Sequence, residues 1–119
     1  MGIKYFHYTS RHLAQEIIIS RKLRPRNPNG RIYLTQQTFS KGAEAAAKLS
    51  ILGKPVEVVC VIPEDKIKNI LENDEPSHVN PIIDPNGNDL RPGCGKEYFT
   101  EKGKTIDING CNWYSLPIP

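Results

Sequence analysis

Tyr5-Phe6-His7-Tyr8-Thr9-Ser10 is the stretch around which the rest of the chain falls into order. Its aromatic and β-branched residues predict a strand over residues 4–8. Thr9 or Ser10 then supplies a hydroxyl to cap a helix, whose Leu13, Ala14, Ile17 and Ile18 share one face at helical spacing. A histidine placed where a strand hands over to a helix has rigid scaffold on both sides and can be aimed into a cleft. Alone, such a histidine is more often a satisfied or surface residue. Its meaning depends on what the rest of the chain brings to meet it.

Working outward, Arg21 and Lys22 sit in the last turn of this helix, where cations complement the dipole. Residues 23–30, rich in Arg, Pro and Asn, read as loop. Residues 31–35 make a short strand with Ile32 and Leu34 on one face and Tyr33 on the other. Ser40 starts a second helix through the alanine-rich residues 43–47. Leu49 and Leu52 extend its apolar side, Gly53 is its C-cap and Pro55 bars continuation. Residues 56–62 are nearly all β-branched and predict the central strand of a sheet. Pro63 at a first helical position, with Glu64 and Asp65 in the first turn, opens a third short helix to about residue 71.

Residues 73–95 are rich in Pro, Gly, Asn and Asp and read as one long loop, a feature that in a small domain is usually functional or mobile. The run Asp84-Pro85-Asn86-Gly87-Asn88-Asp89 lacks the glutamate that closes a calcium loop and reads as a turn. Residues 97–100 and 105–108 form a hairpin around Lys102-Gly103, and residues 113–116 add a last strand, with Trp113 packing the core. The order of elements predicts an α+β fold with mixed sheets, a single domain over residues 1–119.

Bulk properties exclude more than they select. A net charge of +3 permits an anionic ligand or nucleic acid without arguing for one. No apolar run approaches the ~18 residues of a membrane-spanning helix, so no membrane partner is expected. The opening Met1-Gly2-Ile3-Lys4 has no basic segment followed by an apolar one, as an ordinary secretory signal would. The three cysteines, Cys60, Cys94 and Cys111, are odd in number and not spaced for zinc. Cys60 reads as a small core residue, and a reducing, cytoplasmic location fits. His12 and His78 read as surface residues.

Three positions carry chemistry once these strands are drawn: His7, Tyr33 and Glu97. Tyr33 stands in Gly30-Arg31-Ile32-Tyr33-Leu34-Thr35, and Glu97 in Gly95-Lys96-Glu97-Tyr98-Phe99-Thr100. His7 and Thr9 precede a helix that ends in Ile18 and Ile19, with Leu23 and Pro25 following. The β-branched strand ends in Ile62-Pro63-Glu64-Asp65. In this order and spacing the chain resembles the ADP-ribosyltransferases of the His-Tyr-Glu class, which include diphtheria toxin, the poly-ADP-ribose polymerases and many small bacterial toxin domains. The likeness runs from about residue 5 to about residue 108. Without it, Tyr33 is simply a good strand residue, and Glu97 is an edge-strand charge.

The resemblance implies two small mixed or antiparallel sheets with flanking short helices around an NAD cleft. It implies an enzyme that cleaves the nicotinamide–ribose bond of NAD, its co-substrate, and transfers ADP-ribose to a macromolecular acceptor, protein or nucleic acid. Bond cleavage of this kind passes through an oxocarbenium-like ribose. By the resemblance, His7 would hydrogen-bond the adenosine-side ribose, and the backbone at Tyr8, beside Thr9, would pair with the nicotinamide amide. Tyr33 would stack on the nicotinamide ring, and Glu97 would stabilise the developing cation. Of the cations Arg21, Lys22, Arg24, Arg26 and Arg31, Arg24 and Arg26 would meet the pyrophosphate.

A related subgroup ends in His-Tyr-Asp, which makes Asp107 the competitor of Glu97. Position 95 is glycine, so the acidic or amide residue that arginine-directed toxins carry two before the catalytic glutamate is missing. A toxin of this kind implies a cognate immunity protein or antitoxin, and the chain could reach a target cell as part of a longer secreted toxin. The rival readings are an NAD hydrolase, an RNA 2′-phosphotransferase of the same fold, and a basic nucleic-acid-binding module built on Arg21 to Arg31.

Overall fold

The computed structural model describes residues 2–117; Met1 of the opening segment lies outside them, as does the side chain of Asp89. The first strand, β1 (Lys4–Thr9), leads into α1 (Arg11–Ser20). Ser10, not Thr9, is the N-cap, and its Oγ accepts from the Leu13 N–H at 3.2 Å. Ala14 and Ile17 are buried, but Ile18 is 49 % exposed: the buried stripe of this helix is narrower than the spacing of its apolar residues suggests. Arg21 adopts a left-handed conformation that ends the helix, so it and Lys22 lie beyond the last turn.

Lys22–Leu23 form a two-residue strand, β2, where a loop was expected. β3 (Tyr33–Leu34) keeps the expected alternation, with Ile32 and Leu34 buried and Tyr33 half-buried on the other face. Helix α2 (Gly42–Lys48) starts two residues later than Ser40 suggested and stops at Leu49, before Leu52 and Gly53. Leu52 is exposed and joins no helical face. β4 (Val58–Pro63) is the middle strand of its sheet, as its β-branched run predicts, and Cys60 is buried in it. Pro63 ends this strand instead of opening a helix, and only a 3-10 turn, Glu64–Lys66, follows.

The segment read as one long loop carries three short strands: β5 (Ser77–His78), β6 (Ile82–Ile83) and β7 (Asp89–Arg91). The turn between β6 and β7 is held by Asp84, whose carboxylate accepts from the backbone of Asn86 and Asn88. β8 (Lys96–Phe99), β9 (Ile106–Asp107) and β10 (Asn112–Ser115) follow. β8 and β9 do not form the expected hairpin. β8 lies between β3 and β5, while β9 pairs with β2.

The result is a small α+β fold of antiparallel sheets: β1-β4-β10, β3-β8-β5, β2-β9 and β6-β7. The expected two sheets, mixed or antiparallel, are thus four antiparallel ones among the described residues. The backbones of the two three-stranded sheets are bridged where Phe6 and Thr35 exchange hydrogen bonds of 2.7 and 3.0 Å. Between them lies a core of Tyr5, Ile17, Leu23, Leu34, Ile62 and Tyr98 with their neighbours. Tyr5 and Tyr98 meet edge to face at 5.2 Å, and the half-buried Trp113 packs against the same cluster. Among the described residues no helix is long and apolar enough to cross a membrane.

Candidate functional site

The place where the two sheets part is the site. Beyond the Phe6–Thr35 bridge, β1 and β3 separate, and a cleft of about 650 Å³ opens there. It is lined by His7, Tyr8 and Thr9 of β1, by Leu13 and Ile17 of α1, and by the segment from Leu23 to Tyr33. Ile51 and Lys54 with their neighbours, Asn80 and Glu97 complete the lining.

His7 is fixed by the strand it does not pair with. Its Nδ1 lies 3.1 Å from the Tyr33 carbonyl oxygen, which can only accept, so Nδ1 carries the proton and donates. Burial holds the imidazole down to about 4; the hydrogen bond to the Tyr33 carbonyl works against it, and the charges of Lys54 and Arg26 add smaller downward pushes. At neutral pH it is therefore uncharged, and Nε2 is left as an acceptor.

Tyr8 points its side chain away from this chemistry. Its hydroxyl donates to the Gln37 carbonyl at 3.2 Å and accepts from the Phe39 N–H at 2.8 Å, with the two rings edge to face. Its backbone is another matter. Phe6 turns both its N–H and its C=O to Thr35, while Thr9 gives its carbonyl to Glu57 on the opposite edge. Strand alternation therefore sends the Tyr8 N–H and C=O off the β3 edge, past the point where β3 has turned away.

Tyr33 is half-buried. Its ring meets Phe99 at 5.9 Å, and its hydroxyl accepts from Asn29 Nδ2 at 2.6 Å. Glu97 arrives from β8, which is clamped on both edges. Thr35 Oγ1 donates to the Lys96 carbonyl at 2.6 Å, and Gln37 Oε1 accepts from the Lys96 N–H at 2.7 Å. On the far edge the Asn73 side chain donates to the Glu97 carbonyl and accepts from the Phe99 N–H, extending the ladder beyond the end of β5. Burial alone pushes the Glu97 carboxyl up from 4.5 to about 7, with no cation close enough to offset it.

His7, Tyr8, Thr9, Tyr33, Glu97, Arg24 and Arg26 thus all line one cleft, although they come from residues scattered over most of the chain. Arg24 and Arg26 are exposed, and Arg26 pairs with Glu16 at 3.3 Å. Arg31 lines the cleft too, but its guanidinium is engaged by Glu72 at 2.8 Å, the Thr100 carbonyl and the Phe99 ring. Arg21 and Lys22 do not line it. Neither does Asp107, which is exposed and accepts from the Asn109 N–H in a local turn.

Sequence reasoning missed Lys54. This half-buried residue donates from Nζ to Thr9 Oγ1 at 3.1 Å and lines the cleft. Flanked by Gly53 and Pro55, it reads as loop, and nothing local ties it to a hydroxyl on β1. Among the described residues no group of three or more His, Cys, Asp or Glu side chains converges as metal ligands would. No protein-family model matches the chain, and no curated protein or solved structure does.

Proposed function

We propose that the chain is an NAD-dependent ADP-ribosyltransferase with the His-Tyr-Glu fold and mechanism. One observation carries this reading: His7, Tyr33 and Glu97 line the same cleft, each fixed by backbone contacts. The cleft volume lies within the ~300–1,000 Å³ range of ligand sites. His7 Nε2, as an acceptor, suits a ribose hydroxyl. The Tyr8 backbone offers one donor and one acceptor, the complement of a carboxamide. The Tyr33 ring offers a flat face, worth ~1 kcal/mol beyond its buried area when an aromatic ring stacks on it.

Glu97 is the group asked to favour bond breaking. Held near neutrality by burial, it ionises readily when a cationic ring enters beside it, and then opposes the charge that develops on the ribose. Charge arranged in advance in this way is commonly worth ~3–4 kcal/mol in the transition state. Asp107, away from the cleft, has no part in the reading. At position 95 an added Cβ would lie 2.8 Å from the Lys48 carbonyl oxygen, so no side chain fits two residues before Glu97. This weighs against transfer to protein arginine. The acceptor is a macromolecule or, in the hydrolase variant, water. A cognate immunity protein or antitoxin in the producing cell belongs to the same proposal.

The test is adenine-labelled NAD incubated with a cell lysate and either the wild type or Glu97→Ala. Label entering the macromolecular fraction only with the wild type supports transfer, and sensitivity of that label to protease or nuclease identifies the acceptor class. Nicotinamide release without label transfer assigns the chain as a hydrolase. Absence of both from the wild type sinks the enzyme reading.

A further inference from the structure

Two half-buried cations line the cleft, and their situations differ. The Arg31 guanidinium is neutralised by Glu72. Lys54 has no carboxylate partner among the described residues, and its Nζ makes one hydrogen bond, to a hydroxyl. An ammonium withdrawn from water without a counter-charge is costly, and lysines normally avoid it by extending to solvent or pairing. Here the opposite is built in. Thr9 Oγ1, on a residue with no exposed surface, holds Nζ against β1, and the remaining ammonium protons are left for the cleft.

The neighbouring charge has the same sign. Arg26 lies close enough to oppose protonation of both Lys54 and His7, so the cationic side chains gather on one part of the cleft wall. His7 lies within reach of the same field, and its Nδ1 proton is committed to Tyr33, which leaves Nε2 to accept. Arg26 shares its charge with Glu16 at 3.3 Å in a pair open to solvent, so Lys54 is the cation without a counter-charge, and beside a neutral acceptor it is the complement of a phosphate beside a hydroxyl.

We propose that Lys54, with Arg26, forms a phosphate subsite, and that His7 Nε2 accepts a hydroxyl of the same ligand, so that the cleft takes a phosphorylated sugar or nucleotide. This deepens the NAD reading by making Lys54, with Arg26, the diphosphate contact, a role first given to Arg24 and Arg26. It rests on that reading only for the ligand's name. The Thr9 hydroxyl positions the ammonium and does not itself meet the phosphate.

The experiment uses inorganic pyrophosphate as the probe, titrated calorimetrically into the wild type, Lys54→Met, Lys54→Arg and the exposed-lysine control Lys68→Met. Lys54→Met is expected to weaken binding by about tenfold or more, the loss that follows from removing one charge-assisted hydrogen bond. Lys54→Arg should restore most of it, and Lys68→Met should bind as the wild type does. A second measurement needs no variant: pyrophosphate should slow amine-reactive labelling of Lys54 in the wild type and leave Lys48 and Lys68 unchanged. Equal binding by Lys54→Met, or labelling of Lys54 indifferent to saturating pyrophosphate, overturns the subsite. Pyrophosphate binding is read without NAD and without turnover. Failure of the NAD reading, seen as no nicotinamide release, is therefore distinct from failure of the phosphate subsite.

Discussion

Replacing Glu97 by Gln should change how the stability of the fold depends on pH, because the cleft holds two groups displaced in opposite senses. Glu97 is raised from 4.5 to about 7 and His7 lowered from 6.5 to about 4, both chiefly by burial. Between pH 4.5 and 7 the folded chain keeps a proton on Glu97 that the unfolded chain has released. Stability from this group therefore falls as pH rises. Between pH 4 and 6.5 the unfolded chain protonates His7 while the folded chain does not, so stability from His7 rises with pH and is lost as pH falls toward 4.

Over the shared window the two slopes oppose each other and nearly cancel in the wild type. Each displacement corresponds to at most ~3 kcal/mol. Both side chains line an open cleft, which solvent screens, so about 2 kcal/mol is the working amplitude. Urea unfolding of the wild type, Glu97→Gln and His7→Asn at half-unit steps of pH measures it. Groups away from the cleft are common to all three proteins and drop out of the differences. The stability of Glu97→Gln relative to wild type should grow by about 2 kcal/mol as pH rises through this window, and that of His7→Asn should shrink by a similar amount. Profiles of both variants running parallel to the wild type would refute the assigned environments.

Three further outcomes follow from particular contacts. A Cβ at Gly42 would stand 1.8 Å from the Val56 carbonyl oxygen, a backbone atom, so Gly42→Ala must push α2 off the segment that leads into β4. The expected loss is about 2–3 kcal/mol or more, roughly 8–12 °C in Tm for a domain this size, and a Tm within about 2 °C of wild type contradicts it. In nicotinamide release, kcat/KM should rise with a midpoint near the free Glu97 value of about 7, and kcat with a lower one, because a cationic substrate favours the carboxylate. A kcat/KM midpoint at the ordinary glutamate value of 4.5 would contradict the buried acid. Cys94 is exposed, whereas Cys60 is buried with its thiol pushed up to about 12. An aromatic disulfide reagent should therefore modify Cys94 quickly and Cys60 only on unfolding. Equal rates would be inconsistent with the core.

What could be read from the sequence is what depends on local pattern. The β-branched run that becomes β4 is strand-like wherever it is placed, and Ser10 caps α1 through a bond three residues long. The alternation of Ile32, Tyr33 and Leu34 needed only the strand period. What was illegible depends on partners distant in the chain. Lys22–Leu23 is a strand only because Ile106–Asp107 meets it, and that pairing pulls β9 away from the β8 with which it would have made a hairpin.

Pro63 suits a helix start and a strand end equally well, and its register opposite Lys4 decides the matter. The stretch from Asn73 to Gly95 looks like loop because Pro, Gly, Asn and Asp together dominate it. Yet the Gly93 and Gly95 N–H groups take the last carbonyls of α2, Ala47 and Lys48, and tie the segment to the fold. The same distinction runs through the cleft. His7, Tyr33 and Glu97 each sit in a readable strand, while Lys54 is defined by a hydroxyl on a different element, and Arg31 is consumed by Glu72 and Phe99.

The most direct measurement is nicotinamide release from NAD by the purified chain, followed chromatographically at pH 7.5 for the wild type and Glu97→Gln side by side. An NAD-cleaving cleft predicts release by the wild type and a rate lower by about two orders of magnitude or more in Glu97→Gln, with the fold intact. Release at equal rates by both proteins, or by neither, would contradict it.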